Sequence, residues 1–315
     1  MAERNERPGQ PEKAGLPDAH DVARCQALFL ETLPPEGGVY VLLDCQLGNP
    51  FGDYLEAEKL YVLGADQSMI EVHGTKGYWR NPRLLRIDKD SPILPLALEF
   101  AANESESPIG ARNVCALLAS AKKDDLALLT RHLKTQSRHH HLWEEQEDSV
   151  PFRYYDPRVM HTLRRLFTPR QIRDLLGPVL AWAYVDFRSN FHLFKHPRPD
   201  RIITQVKLTP ENIAAFPYNQ DVYRAMRLLE AYRDAWTDML DVELFQILEN
   251  AGKSHADDAL DKNHWNLPTL AAVQWLIERG RADAEILEEA LKAWRESGIP
   301  LLPSIEQHYA PGLFP

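Results

Sequence analysis

The chain has 315 residues, 44% hydrophobic and 26% charged. Those fractions are ordinary for a globular protein and exclude a collagen, a coiled-coil rod and a wholly disordered chain. Lys and Arg number 36 against 46 Asp and Glu, a formal net charge of −10; a duplex binder carries the opposite excess, so nucleic acid is not the expected partner.

The length suggests about two domains. The three cysteines, Cys25, Cys45 and Cys115, are scattered and form no CxxC. Neither a zinc ribbon nor a thioredoxin-like site is encoded, and each thiol is expected to be a small buried hydrophobe. No apolar run reaches the length of a signal peptide or a membrane span. A cytoplasmic protein without membrane insertion is expected.

Residues 1–20 mix Pro, Gly and charge and are expected to form a disordered leader. Val22, Cys25, Leu28 and Phe29 have helical spacing, and Pro34, Pro35, Gly37 and Gly38 end that pattern. Val39 to Leu43, closed by Asp44, reads as a buried strand. Short β-like runs follow at 59–63, 69–73 and 84–87, while 93–102 is ambiguous between helix and strand. Ser107-Pro108 resembles a cap with proline at the first helical position, which predicts a helix through Cys115, Leu117 and Leu118. Leu126, Leu129 and Leu133 predict another helix.

Phe152-Arg153-Tyr154-Tyr155 reads as a strand, and Asp156-Pro157 as a helix start. Thr168-Pro169-Arg170-Gln171 fits a capping box, and Gly177-Pro178 stops the helix it opens. Residues 180–187 predict a strand, and 191–201, with two prolines, a linker. From Thr209-Pro210 onward the pattern is helical. Val222, Met226, Leu229, Tyr232, Trp236 and Leu240 predict one long amphipathic helix over 220–240. Further helices are expected at 242–248, 270–277 and 284–294, with Gly280 and Gly298 as stops. The expected fold is α+β or α/β: a small mixed sheet with packed helices over 21–190, and an all-helical lobe over 205–315.

The motifs of common enzymes are missing. There is no GxSxG elbow, no P-loop, no dinucleotide glycine turn and no HExxH. Three features carry titratable groups. His139, His140 and His141 are consecutive, so in a strand or a helix they diverge instead of converging on one ion. Asp257, Asp258 and Asp261, flanked by His255 and His264, lack the glycine and terminal glutamate of a calcium loop. Phe152-Arg153-Tyr154-Tyr155-Asp156-Pro157-Arg158 places two arginines around an aspartate at a helix start. Asp156 there is either a base beside an anion clamp or a helix cap paired with arginine; the cap is the preferred reading.

This last run continues through Val159-Met160, Leu163, Leu166, Gln171, Gly177-Pro178-Val179 and Trp182. In order and spacing it resembles the signature of the type VI secretion adaptor family, also called effector chaperones. Tyr40-Val41-Leu42-Leu43-Asp44 is similar to the first strand of that family. The resemblance covers roughly residues 25–190. It implies a bacterial cytosolic protein without catalytic activity, and no cofactor or metal is expected from the residues. Such a protein binds a cognate effector and helps load it onto the VgrG spike for toxin delivery. Arg153, Tyr154, Asp156, Pro157, Arg158, Gly177 and Pro178 are then a structural or partner-binding motif. The alternatives are an enzyme with a site around Asp156 or His255–His264, or an immunity-like protein that binds a toxin. The identity of the cargo and the oligomeric state are not legible in the residues.

Overall fold

The computed structural model describes residues 17–44, 51, 69–71, 82–106, 112–137, 152–196, 199, 203–236, 239–255, 263, 266–310 and 312–314. The chain divides into two compact units, 1–208 and 209–315.

The first unit is α+β. Its strands are β1 (Gly38–Asp44), β2 (Met69–Glu71), β3 (Pro82–Ile87), β4 (Val114–Ser120), β5 (Ala181–Val185) and β6 (Phe191–Lys195). They lie in the order β2-β3-β1-β4-β5-β6, and every pairing among the described strands is antiparallel, not mixed. β1 and β4 are buried along their whole length and form the centre of the sheet. That explains their sequences: a strand covered on both faces reads as a continuous apolar run.

Among the described residues, five helices accompany the sheet: α1 (Val22–Leu30), α2 (Ile93–Ser105), α3 (Leu126–Ser137), α4 (Pro157–Leu166) and α5 (Pro169–Leu176). α1 and α2 cover one face, packing Cys25, Phe29, Leu94, Ala97 and Leu98 against Val39, Val41, Leu43 and Leu117. The opposite face carries Tyr40, Leu42, Leu84, Leu118 and Trp182, which pair across adjacent strands. α3 packs on β3, and Tyr154 and His161 set their rings against Trp182 and Tyr184 of this second face.

Several expectations change. The segment through Cys115, Leu117 and Leu118 is a strand, not a helix. A seven-residue apolar run has no polar face to anchor a helical period, and its place between β1 and β5 decides the matter. Ser107-Pro108 itself lies outside the described residues, as do 59–63. The ambiguous 93–102 stretch is helical. Phe152 to Tyr155 is a turn and not a strand; the Asp156 N–H donates to the Arg153 carbonyl at 3.0 Å. Its aromatic residues are buried by ring packing and not by a ladder.

Residues 191–195, expected in a linker, form β6 and complete a hairpin with β5. The buried Phe191 and His192 draw this edge strand onto the sheet. Residues 17–20, expected in the leader, run beside that hairpin. The Phe191 N–H donates to the Pro17 carbonyl at 2.9 Å and the Ala19 N–H to the Ser189 carbonyl at 2.6 Å.

Beyond β6, residues 203–208 form neither helix nor strand and are held by two side-chain amides. Gln136 of α3 donates to the Thr204 carbonyl at 2.6 Å and accepts from the Val206 N–H at 3.0 Å. Gln171 donates to the Lys207 carbonyl at 2.8 Å while its Oε1 closes the capping box on Thr168.

Among the described residues the second unit is helical and has no strand: α6 (Pro210–Leu228), α7 (Leu240–Ser254), α8 (Asn266–Glu278), α9 (Ala284–Ser297) and the short α10 (Leu301–Ser304), which runs into a π turn at Ile305–Tyr309. α6, α7 and α8 pack on one another, and α8 is buried on nearly all sides. The single long helix expected over 220–240 is broken. α6 ends at Leu228, and a 3₁₀ turn, Glu230–Ala235, follows with a helix-breaking Tyr232. Side chains reward the break. The Trp236 indole N–H donates to the Leu229 carbonyl at 3.1 Å, and the Tyr232 hydroxyl to the Leu313 carbonyl at 2.9 Å.

Gly177, Gly280 and Gly298 all follow helix ends with positive φ, and two of them contrast in their surroundings. A Cβ at Gly298 (φ +68°) meets nothing within 4 Å; one at Gly177 (φ +53°) would lie 2.3 Å from Cε1 of the buried His132. Gly298→Ala should therefore cost about 1 kcal/mol, the strain of a left-handed alanine. Gly177→Ala adds a collision in a packed core and should cost about 3 kcal/mol or more. Urea unfolding of the two variants measures this, and equal losses would show that the His132 ring yields freely.

Candidate functional site

The charged motif sits where the 152–156 turn meets the end of β1. Asp156 is buried and caps α4: its Oδ1 accepts the Arg158 N–H at 3.0 Å. Pro157 occupies the first helical turn, where no N–H is needed. The Arg158 guanidinium folds back on the same carboxylate, Nε to Oδ1 at 2.9 Å and Nη2 to Oδ2 at 2.7 Å. Arg153 reaches the other way, to Oδ2 of the buried Asp44 on β1, and stays 3.7 Å from Asp156. Two carboxylates and two guanidiniums thus form one neutral cluster.

Burial by itself would raise the Asp156 carboxyl, but the Arg158 hydrogen bonds and the Arg158 and Arg153 charges outweigh it and hold it below the usual range. Burial likewise drives the neighbouring Cys115 thiol well up, with Asp44 and Asp156 adding to the effect, so it remains a thiol. Tyr154 is fully buried between Phe152, Tyr155 and Trp182. Its hydroxyl and the Trp182 indole N–H have no hydrogen-bond partner among the described residues, so packing holds these rings.

Gly177 and Pro178 lie apart from the charges, at the end of α5. The Gly177 N–H donates to the Arg173 carbonyl at 2.8 Å, closing the helix. The close approach of His132 requires a residue without Cβ there. The His132 ring, wholly buried, meets the Leu175 carbonyl through Nε2 at 2.8 Å. Desolvation lowers its pKa from 6.5 to about 4, against the opposing pull of the Leu175 carbonyl.

His139, His140 and His141 lie outside the described residues, as do Asp257, Asp258, Asp261 and His264. His255 is the C-cap of α7. A cleft of about 590 Å³ opens at the sheet end near Gly38, Asp88 and Lys122. Charges around it engage protein groups: Lys123 pairs with Asp88, Arg86 with Asp124 at 3.2 Å, and Lys89 donates to the Pro34 and Pro35 carbonyls.

One group escaped the reading of the sequence. His161 of α4, Asp186 at the end of β5 and His192 of β6 bring two ring nitrogens and a carboxylate oxygen within 4.8 Å of one another. His192 Nε2 lies 2.7 Å from Asp186 Oδ2, and Arg164 Nη1 lies 2.7 Å from His192 Nδ1. The 186–190 hairpin fixes this geometry. Asp186 Oδ1 accepts the Arg188 and Asn190 N–H groups at 2.8 and 3.0 Å, and Ser189 takes a left-handed φ of 59°. Burial would raise the Asp186 carboxyl, yet the His192 hydrogen bond and the charges around it bring it down to about 2. The three residues come from three elements, and no short motif unites them. The only available signal was the density of His and Tyr near the predicted strand.

Comparison of the chain with protein-family models, with curated proteins and with solved structures found no match.

Two expected outcomes follow from these environments. Asp156→Ala removes a cap worth about 1 kcal/mol and also leaves Arg158 and Arg153 beside a half-empty cluster, so the loss should reach about 2–4 kcal/mol in urea unfolding. A loss no larger than an exposed cap gives would mean that the arginines find water at no cost. His132 is neutral when folded and accepts a proton readily only when unfolded. Its contribution is therefore level above pH 6.5, stability falls as the pH drops towards 4, and the loss of roughly 3 kcal/mol then levels off. His132→Gln, whose amide can still donate to Leu175, should flatten that slope; an unchanged slope would reassign it to another group.

Proposed function

We propose that the chain is a non-catalytic adaptor of type VI secretion, which binds a toxic effector and helps load it onto the VgrG spike. The observation that carries this reading is the run from Phe152 to Trp182, whose residues and order resemble the signature of that family. The chemistry of the run is in keeping with it. Both oxygens of Asp156 are engaged by Arg158, which leaves this carboxylate poorly placed to act as a base. The motif serves as a brace for the α+β unit, and the adhesive surfaces lie elsewhere on the two units.

An adaptor acts through differential affinity: it holds the effector until spike assembly offers a better-bound state. In this reading its work ends before the effector leaves the cell.

Tagged full-length chain, purified from its native bacterium and analysed by mass spectrometry, should retain one large toxin-like protein and a VgrG-type spike protein. Deletion of its gene should lower delivery of that toxin and leave the toxin's intrinsic activity intact. Recovery of neither partner would sink the reading, and direct inhibition of the toxin by the purified chain would make it an immunity protein instead.

A further inference from the structure

We propose that His161, Asp186 and His192 form a binding site for a divalent first-row transition-metal ion, with Zn²⁺ as the type. The inference is independent of the adaptor reading. Two imidazoles and one carboxylate are a ligand set that suits Zn²⁺, Co²⁺ or Ni²⁺ and suits Ca²⁺ or Mg²⁺ poorly. The three ligands come from α4, the end of β5 and β6, so they approach from different directions.

The geometry is close to that of a coordination sphere. Donor atoms around a tetrahedral Zn²⁺ lie about 3.3 Å apart. His192 Nε2 and Asp186 Oδ2 are 2.7 Å apart, and all three ligand atoms fall within 4.8 Å. The His161 ring therefore has to advance by roughly 1.5 Å to complete the set. His161 is half-buried while Asp186 and His192 are buried, so the ion enters from the His161 side.

The outer contacts that steady metal ligands are also in place. Asp186 is fixed through its other oxygen by the backbone of its own hairpin. Tyr184 holds His161 Nδ1 at 3.2 Å and stacks on the His192 ring, with centroids 4.8 Å apart and an 11° tilt.

Arg164 occupies the position of a competitor. Its guanidinium donates to His192 Nδ1, which fixes the tautomer that places the proton on Nε2, facing Asp186. An ion on Nε2 needs that proton gone and Nδ1 protonated in turn, so the guanidinium must swing away. Arg164 is only half-buried. The site is thus a closed hydrogen-bond network that a metal opens by displacing one arginine.

The test is a Co²⁺ titration of the full chain, followed by visible d–d absorption and competed with Zn²⁺. All proteins carry His139→Asn, His140→Asn and His141→Asn, which removes the consecutive histidines as a rival site. The background protein should bind one Co²⁺ per chain. His161→Ala and His192→Ala should each weaken binding about tenfold or more. Arg164→Gln should tighten it, and this gain keeps the proposal testable even if His192→Ala fails to fold. The proposal is overturned if neither the background protein nor Arg164→Gln shows a saturable spectrum, or if binding is indifferent to His161→Ala.

Discussion

Arg153 lies between two buried carboxylates, Asp44 at the end of the central strand and Asp156 at the start of α4, and the first unit is assembled around that charge. Two carboxylates this near each other in a dry interior would repel strongly without a cation between them. Arg153 supplies the cation, and Arg158 neutralises the second acid by a planar two-point contact. The result is a balanced cluster that ties a turn, a helix cap and a strand end together. Such clusters are weak sources of net stability but punish the loss of any one member. They fix which turn meets which strand, and the aromatic packing of Tyr154 on Trp182 then follows.

Much of this was legible because local chemistry and global fold agree. Asp156-Pro157 and Thr168-Pro169 with Gln171 announce helix starts through hydrogen bonds made within a single turn, and both appear where the residues place them. Val39 to Leu43 is too short and too apolar for anything but a buried strand. The misread segments are those whose state is decided from outside. Val114 to Ser120 carries no period, and its neighbours β1 and β5 choose the strand. Tyr232 and Trp236 continue the helical stripe of α6 perfectly, yet their polar atoms find better partners when the helix stops. Phe191 to Lys195 is followed by prolines, which hid an edge strand.

The candidate site divides along the same line. The arginines and aspartate of the 152–158 run are close in sequence, so their cluster was visible in outline; the fourth member, Asp44, was visible only as the end of a strand. His161, Asp186 and His192 are joined by topology alone. The hairpin that joins β5 to β6 is also where the N-terminal stretch at 17–19 and Ser105 of α2 converge, the latter through a 2.8 Å contact with the Ser189 hydroxyl. A left-handed serine is tolerated at that tip because its neighbours hold it on every side.

The two glutamines that hold residues 203–208 differ in kind from the arginine–aspartate cluster that braces this unit. Gln136 and Gln171 grip the backbone there through neutral amides, and neither grip involves a formal charge. Ionic strength and proton concentration act on charges, so they can loosen the arginine–aspartate brace or reset the histidine network without touching this one. Residues 203–208 are consequently held by contacts that answer little to salt or pH.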